Sequence, residues 1–234
     1  MLSVFFKSAI VLLVIFPNFV LAQVFGNFLT ALTAYFLGDK TAQREGFLTF
    51  NPAKHLDLKG SLIFLSVILF ANMLLGDSPV TSLVFVFLLV ANIRRPVIVP
   101  VNEENFKNPI LGECATILAD PLGSIFYSFL CLACIRFLPI DLPALVWQFF
   151  DAGATIGIQL GVLDLIPLPP QAGGRIMQLL IPEEQEDFLE AYSTYGMFIF
   201  LGLLIIPGVN DVMFGVIRNI TTGIKMMFFK LLFR

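Results

Sequence analysis

The feature that most constrains this chain is a long stretch without a charged side chain, which lies between Lys7 and Asp39. It is mainly apolar and longer than the roughly 20 residues that an α-helix needs to cross a bilayer. Pro17 and Asn18 interrupt it, so we expect a kink or a break at that point. The stretch therefore predicts a membrane-spanning helical segment.

The same stretch also has the pattern of a signal peptide. Lys7 precedes an apolar core, and Val20-Leu21-Ala22 stands before Gln23 as a cleavage site would. The first of the four blocks described below begins at Gly26, only four residues after this supposed cleavage site and in the same apolar stretch. We therefore favour a retained helix and keep cleavage of residues 1–22 as the alternative.

Composition supports a membrane protein. The chain is 58% apolar and 13% charged, with a mean hydropathy of +0.90, whereas a soluble domain is typically about a quarter charged. The net charge of −3 provides no basic surface for nucleic acid. The bilayer is therefore the first partner that we expect, and nucleic acid is not expected.

Further apolar segments follow the first one. They cover residues 61–75, 80–93, 115–138, 142–168, 195–209 and 212–233. The first two are short and are separated by the turn signal Gly76-Asp77-Ser78-Pro79, which suggests a helical hairpin or a tilted short span. These segments predict a single all-α, polytopic membrane domain over residues 1–234, with about five or six spans.

Four short blocks combine polar residues with glycine and proline. They are GNFLTALTAYFLGD at residues 26–39, NPAKHLD at 51–57, PVIVPVNEENFKNPILG at 96–112 and DLIPLPPQAGGR at 164–175. The prolines of the third block exclude an ordinary helix there, so an extended segment is expected. Irregular backbone of this kind is tolerated at the membrane interface or buried within protein, as in a re-entrant segment.

In order and spacing these blocks resemble the site-2 protease family of intramembrane zinc proteases. The first family block reads H-E-x-x-H-A-x-x-A-x-x-x-G-D, and the last reads N-x-x-P-x-x-P-x-D-G-G-R. Before the third family helix stands A-G-P-x-x-N, where this chain has Ala119-Asp120-Pro121-Leu122-Gly123-Ser124. The resemblance implies the transmembrane core of that family, with Pro-rich interfacial or re-entrant segments.

The resemblance also implies that the zinc chemistry is missing. Gly26 and Thr30 stand at the two histidine positions, Asn27 at the general-base glutamate and Ala172 at the zinc-binding aspartate. Glycine and alanine offer no ligand atom, and an amide cannot take up a proton as a carboxylate does. We therefore predict no bound zinc, no other cofactor and no protease activity.

Other metal ligands are scarce in the sequence. His55, the single histidine, follows the first block and is interpreted as a side chain that fixes a turn or lies at the headgroups. Cys131 and Cys134 lie three residues apart on one apolar segment, where cysteine usually behaves as a small hydrophobic residue. A zinc site at either place is the minor alternative.

The resemblance places a peptide groove between the first block and the last one. Its candidate residues are Asn27, Thr30, Asp164, Pro167, Pro169, Gly173, Gly174 and Arg175. Extended main chain in this region would allow a peptide to pair by strand addition, which does not need zinc. Asp164 is the candidate of greatest interest, and Arg175 is its expected ion-pair partner.

Asp120, Asp151 and Asp164 occur at or near the ends of apolar segments. Buried carboxylates in a membrane protein are functional candidates. The competing interpretation is that each lies at interface level and caps a helix, with Asp120 preceding Pro121 at a helix start.

Three hypotheses for function remain open. The first is an inactive protease homologue that holds a membrane-embedded or extended peptide, including one derived from a signal peptide, without cutting it. The second is a transport protein that uses a polar cavity at Asn27, Thr30 and Asp164. The third is an active protease with ligands that the sequence does not identify. In each case we expect a multi-pass protein of a bacterial cell membrane.

Overall fold

The first long helix, α1, runs over Phe16–Leu37 and directly continues a π-helical turn at Val11–Ile15. The structure, a computed structural model, describes residues 11–55, 99–137, 143–206 and 208–233. Pro17 lies in the first turn of α1, a position that proline fits, and the kink or break expected at Pro17 and Asn18 stays a prediction. The apolar runs 61–75 and 80–93, the turn between them and Asp57 lie outside the described residues.

The polar segment after α1 folds into two short helices, α2 at Thr41–Arg44 and α3 at Pro52–His55. Gly38 ends α1 with a φ of 111°, and its N–H donates to the carbonyl oxygens of Ala34 and Tyr35. Glycine is the residue that adopts this left-handed conformation without strain, which explains its place in the first block.

The third block approaches the membrane helices as an irregular segment. Val99 to Asn102 has no regular structure and leads into a 3-10 turn at Glu103–Asn105. The next helix, α4, covers Pro109–Phe137 and so begins several residues before the predicted start of the apolar segment. The side chain of Asn108 accepts a hydrogen bond from the N–H of Leu111 (3.2 Å), as an N-cap does.

Two sequence predictions about aspartates are wrong. Asp120 does not begin a helix, because α4 starts at Pro109 and contains Pro121 in its interior. Asp151 does not cap a helix, because it lies within α5, which covers Ala144–Asp164. Pro121 after Asp120, and Gly153 near Asp151, have the local pattern of a helix boundary. Helix packing accommodates both the proline and the glycine within their helices.

Three further helices complete the described chain: α6 at Ala172–Leu180, α7 at Glu186–Ile205 and α8 at Val209–Leu232. Between α5 and α6 lies the proline-rich loop, residues 165–171. A 3-10 turn at Glu183–Gln185 precedes α7, whose first two residues are Glu186 and Asp187. Gly208, with a φ of 83°, separates α7 from α8.

The centre of the fold is the packing of α4 against α1 on one side and α5 on the other. The α4–α5 contact uses glycines of α5: a Cβ on Gly157 would lie 2.4 Å from the carbonyl oxygen of Ser124 and from Oγ of Ser128. Small residues let two helix backbones approach closely, which is how helices commonly associate in membranes. Asn18 of α1 joins all three helices, because it donates to the carbonyl oxygen of Phe149 (3.0 Å) and accepts from the hydroxyl of Tyr127.

All described regular elements are helical, and no strand occurs in the ranges given above. Three helices there are long and apolar enough to cross a membrane: Leu13–Leu37, Pro109–Phe137 and Val209–Leu232. The all-helical class and the presence of apolar, membrane-length helices are thus confirmed. The count of five or six spans and the single domain over residues 1–234 stay predictions.

Candidate functional site

Three of the four positions that correspond to the family's ligands and base, namely Asn27, Thr30 and Ala172, line one cavity. It has a volume of about 110 Å³ and lies between α1, α4 and the loop that leads into α6. Its lining residues are Gln23, Asn27, Thr30, Val99, Val101, Thr116, Ile117, Asp120, Asp164, Pro170, Ala172 and Arg175. Gly26 reaches this region through its contact with the side chain of Asp120.

Asp39 positions the irregular segment at the edge of this cavity. Its carboxylate is fully buried and accepts hydrogen bonds from the backbone N–H of Asn102 (2.8 Å), the side chain of Asn105 (2.8 Å) and the hydroxyl and N–H of Thr41 (2.6 and 3.0 Å). Burial raises the pKa of Asp39, but these hydrogen bonds outweigh burial and hold the pKa below its usual value. The polar residues of the first and third blocks thus form one clamp, which holds Val99 and Val101 beside the cavity.

Asn27 has a structural partner. Its side-chain N–H donates to the carbonyl oxygen of His55 (3.4 Å), which fixes α3 against α1. A carboxylate in the place of this amide could not donate to that carbonyl oxygen, because both groups are hydrogen-bond acceptors. The amide therefore suits the contact and a carboxylate does not.

Thr30 also has a partner, within its own helix. Its hydroxyl donates to the carbonyl oxygen of Gly26, one turn earlier (3.2 Å). This is a common bond for threonine in a helix and leaves the side chain folded against the backbone. A protonated hydroxyl of this kind is a poor zinc ligand.

Asp164 is the last residue of α5 and is almost fully buried. One of its carboxylate oxygens accepts a hydrogen bond from the N–H of Ala172, the first residue of α6 (3.2 Å). A carboxylate at a helix start satisfies an N–H that the helix leaves unpaired, and it is favoured by the helix dipole. Asp164 and Arg175 line the same cavity; their predicted ion pair stays a prediction.

The remaining predicted groove residues shape the proline-rich loop and do not line the cavity. A Cβ on Gly173 would lie 2.3 Å from the carbonyl oxygen of Leu165, and one on Gly174 would lie 2.4 Å from the backbone of Leu168. The carbonyl oxygen of Pro167 accepts from the hydroxyl of Tyr192 (2.8 Å), and Pro169 packs on Gly196 of α7. These residues thus fix the loop against the start of α6 and against α7.

Several lining residues are not among the site residues predicted from the sequence. Gln23 stands one turn before Asn27, and Thr116 stands one turn before Asp120, so each belongs to a polar stripe on an otherwise apolar helix. This i, i+4 spacing is the signal that could have found them. Val99 and Val101 had no such signal, because their place depends on the Asp39 clamp.

His55 lies at the end of α3 and is 1% exposed. One ring nitrogen, Nε2, lies 2.7 Å from the carbonyl oxygen of Thr49, and the ring packs edge-on against Phe47. Burial lowers its pKa, while the hydrogen bond to Thr49 opposes the shift. The side chain therefore holds the loop that it belongs to, as the structural interpretation predicted.

The side chains that line the cavity do not fit the zinc ion that the resemblance implies. Zinc sites in proteins use imidazole, thiolate and carboxylate groups in a tetrahedral set. No histidine or cysteine lines the cavity, and among the described residues no group of three His, Cys, Asp or Glu side chains is placed to hold a metal ion. Cys131 instead packs beside Gly153, and its thiol lies 2.7 Å from the position of a Cβ there.

The chain is similar to two bacterial proteins whose names describe zinc proteases. It is 29% identical over 184 residues to "Putative zinc metalloprotease YwhC" of Bacillus subtilis, which covers 76% of this chain and 73% of the relative. It is 32% identical over 92 residues to "Putative zinc metalloprotease CPE1693" of Clostridium perfringens, which covers 34% of this chain and 28% of the relative. No protein-family profile matches the chain, and no solved structure shows significant similarity. The similarity to these two proteins supports the resemblance to the site-2 protease family.

Proposed function

We propose that this chain is an inactive homologue of a membrane-embedded zinc protease that binds a peptide without cutting it. The observation that carries the proposal is the set of contacts at the former ligand and base positions. Gly26 meets Asp120, Asn27 binds the carbonyl oxygen of His55, and Thr30 binds its own helix. Each position has taken a packing role in place of a chemical one.

Peptide binding is supported by the backbone around the cavity. Two stretches without regular structure border it, one through Val99 and Val101 and the other through Pro170. Non-helical main chain can pair with an extended peptide, and such pairing uses backbone groups only. The occupant that we propose is a transmembrane segment with a locally unwound stretch, because the neighbouring helices α1 and α4 are apolar and of membrane length.

The inactivity is tested by the zinc content of the full chain, purified in detergent without a metal-affinity step. Elemental mass spectrometry should give a zinc-to-protein ratio equal to that of a chelator-washed control. A ratio near one would overturn the proposal and would favour an active protease that uses His55 or the cysteines.

Peptide binding is tested with a photo-crosslinking residue at Val101, which lines the cavity, and a control at Val212, which is 68% exposed on α8. The probe is a synthetic Leu/Ala peptide of about 20 residues with a central Asn-Gly pair, which lowers its helix stability. Crosslinking at residue 101 alone, to intact peptide, is the expected result. Equal crosslinking at both positions, or chelator-sensitive cleavage of the peptide, would contradict the proposal.

A second function deserves a test because the cavity contains ionisable and hydroxyl groups between membrane-length helices. A transport protein would use Asp164, beside Asn27 and Thr30, to bind the transported proton or solute. In proteoliposomes, a proton flux that the substitution Asp164→Asn abolishes would favour transport over peptide binding.

A further inference from the structure

The contact between α1 and α4 is closest at Gly26. A Cβ on Gly26 would lie 2.1 Å from Oδ1 of Asp120 and 3.0 Å from the carbonyl oxygen of the same residue. One turn along α4, a Cβ on Gly123 would lie 2.7 Å from Cα of Gly26 and 2.5 Å from the carbonyl oxygen of Phe25. The two backbones therefore meet at Gly26, and no side chain fits between them.

Asp120 occupies the room that a larger side chain at position 26 would need. The resemblance puts the first zinc-binding histidine at position 26 and a glycine at position 120. This chain has the opposite arrangement, with glycine on α1 and the carboxylate on α4. At this contact the family pattern has its larger side chain on α1, whereas this chain has it on α4.

We propose that Asp120 closes the former metal site, so that the α1–α4 contact itself keeps zinc out even where the ligands are restored. The inference deepens the proposed inactivity and rests on it. It adds that inactivity is a property of helix packing, and that Asp120 is the residue that determines it.

The exclusion of zinc is steric. A histidine at position 26 would direct its imidazole into the space that the carboxylate of Asp120 fills, and the short aspartate side chain has few other rotamers within a helix. Overfilling a packed helix contact forces the backbones apart. Removing the carboxylate side chain at position 120 removes the 2.1 Å clash. A Cβ at position 26 then lies 3.0 Å from the carbonyl oxygen of residue 120, and a small backbone shift relieves this contact.

The main experiment compares two restored variants of the full chain. Both carry G26H, N27E, T30H and A172D, and the second also carries D120G. We expect background zinc in the first variant and about one zinc per chain in the second, measured by elemental mass spectrometry after equilibration with zinc and removal of free metal. Equal zinc contents in the two variants, at either level, would overturn the inference.

A smaller perturbation tests the same contact without metal. Gly26→Ala should lower the midpoint of thermal unfolding, and Asp120→Ala should abolish most of that loss when the two are combined. Gly223→Ala is the matched control, since a Cβ on Gly223 meets no atom of the described residues within 4 Å. An equal effect of Gly26→Ala in both backgrounds would overturn the inference.

The outcomes separate this inference from the proposed function. Zinc bound to the unaltered chain would contradict the proposed inactivity. A second outcome is background zinc in the unaltered chain and full zinc loading in the restored variant that retains Asp120. This outcome would contradict only the role of Asp120 and would leave the proposed inactivity intact.

Discussion

At the scale of single residues, the positions that correspond to the family's ligands and base make structural contacts. Asn27 and Thr30 keep polar atoms at the cavity, and each side chain donates a hydrogen bond to a backbone carbonyl oxygen. Gly38 and Asp39 match the family pattern of the first block. Gly38 ends α1, and Asp39 holds the irregular segment through its hydrogen bond from Asn102. The residues that match the first family block therefore have packing roles in this fold.

His55 gives a prediction about pH. Because burial lowers the pKa of His55 in the folded state below its usual value of about 6.5, the folded state binds fewer protons than the unfolded state as pH falls through that value. Stability is therefore full above about pH 6.5 and decreases as pH falls toward the folded pKa, by up to about 1.4 kcal/mol per pH unit. The midpoint of thermal unfolding in detergent should be lower at pH 5.5 than at pH 7.5.

The control for this prediction is His55→Gln, which keeps a side-chain donor near the carbonyl oxygen of Thr49 but does not titrate. The chain has no other histidine, so this variant should lose much of the pH dependence between 7.5 and 5.5. Identical decreases in the two proteins would show that His55 is not the group responsible.

At the scale of helices, the α4–α5 contact depends on glycines placed every fourth residue of α5. Gly153, Gly157 and Gly161 each face atoms of α1 or α4 at distances that no Cβ tolerates. Gly157→Ala should therefore destabilise the fold by about 1–3 kcal/mol, despite the better helix propensity of alanine. Thermal unfolding in detergent measures this loss.

Gly215→Ala provides the comparison on α8, where a Cβ would meet no described atom within 4 Å. This change should be neutral or stabilising, because alanine favours a helix by up to about 1 kcal/mol over glycine. A Gly157→Ala variant as stable as Gly215→Ala would contradict the close α4–α5 packing.

The helices also show what sequence could predict. Hydropathy located α1, α4, α5 and α8 because their apolar runs are long. The predicted start of α4 was too late, because Asp120-Pro121 has the local pattern of a helix start. In the structure Pro121 lies inside α4, where packing against α1 and α5 accommodates it. The positions that correspond to the family's ligands follow from the family pattern alone. Their partners in the fold do not, because the contact between Gly26 and Asp120 joins residues far apart in sequence.

At the scale of the whole molecule, the contacts assign the ends of the long helices to two groups. Gly38, after α1, lies against the carbonyl oxygen of Asn105, just before α4. At the other end of α4, Arg136 lies over the ring of Phe233, which follows α8 (5.4 Å). The 29 residues of α4 extend over about 43 Å, more than the hydrocarbon core of a bilayer. The two groups should therefore lie on opposite sides of the membrane.

This arrangement can be tested by thiol labelling in sealed vesicles, with Cys114, Cys131 and Cys134 first replaced by alanine. Single cysteines at the exposed positions Arg44 and Glu104 should react with an impermeant maleimide from one and the same side. A cysteine at Lys230 should react from the opposite side, and detergent should make all three reactive. Labelling of all three from one side would mean that α4 does not span the bilayer. The cavity between α1 and α4 would then not lie within the membrane, and a transmembrane peptide would no longer be its expected occupant.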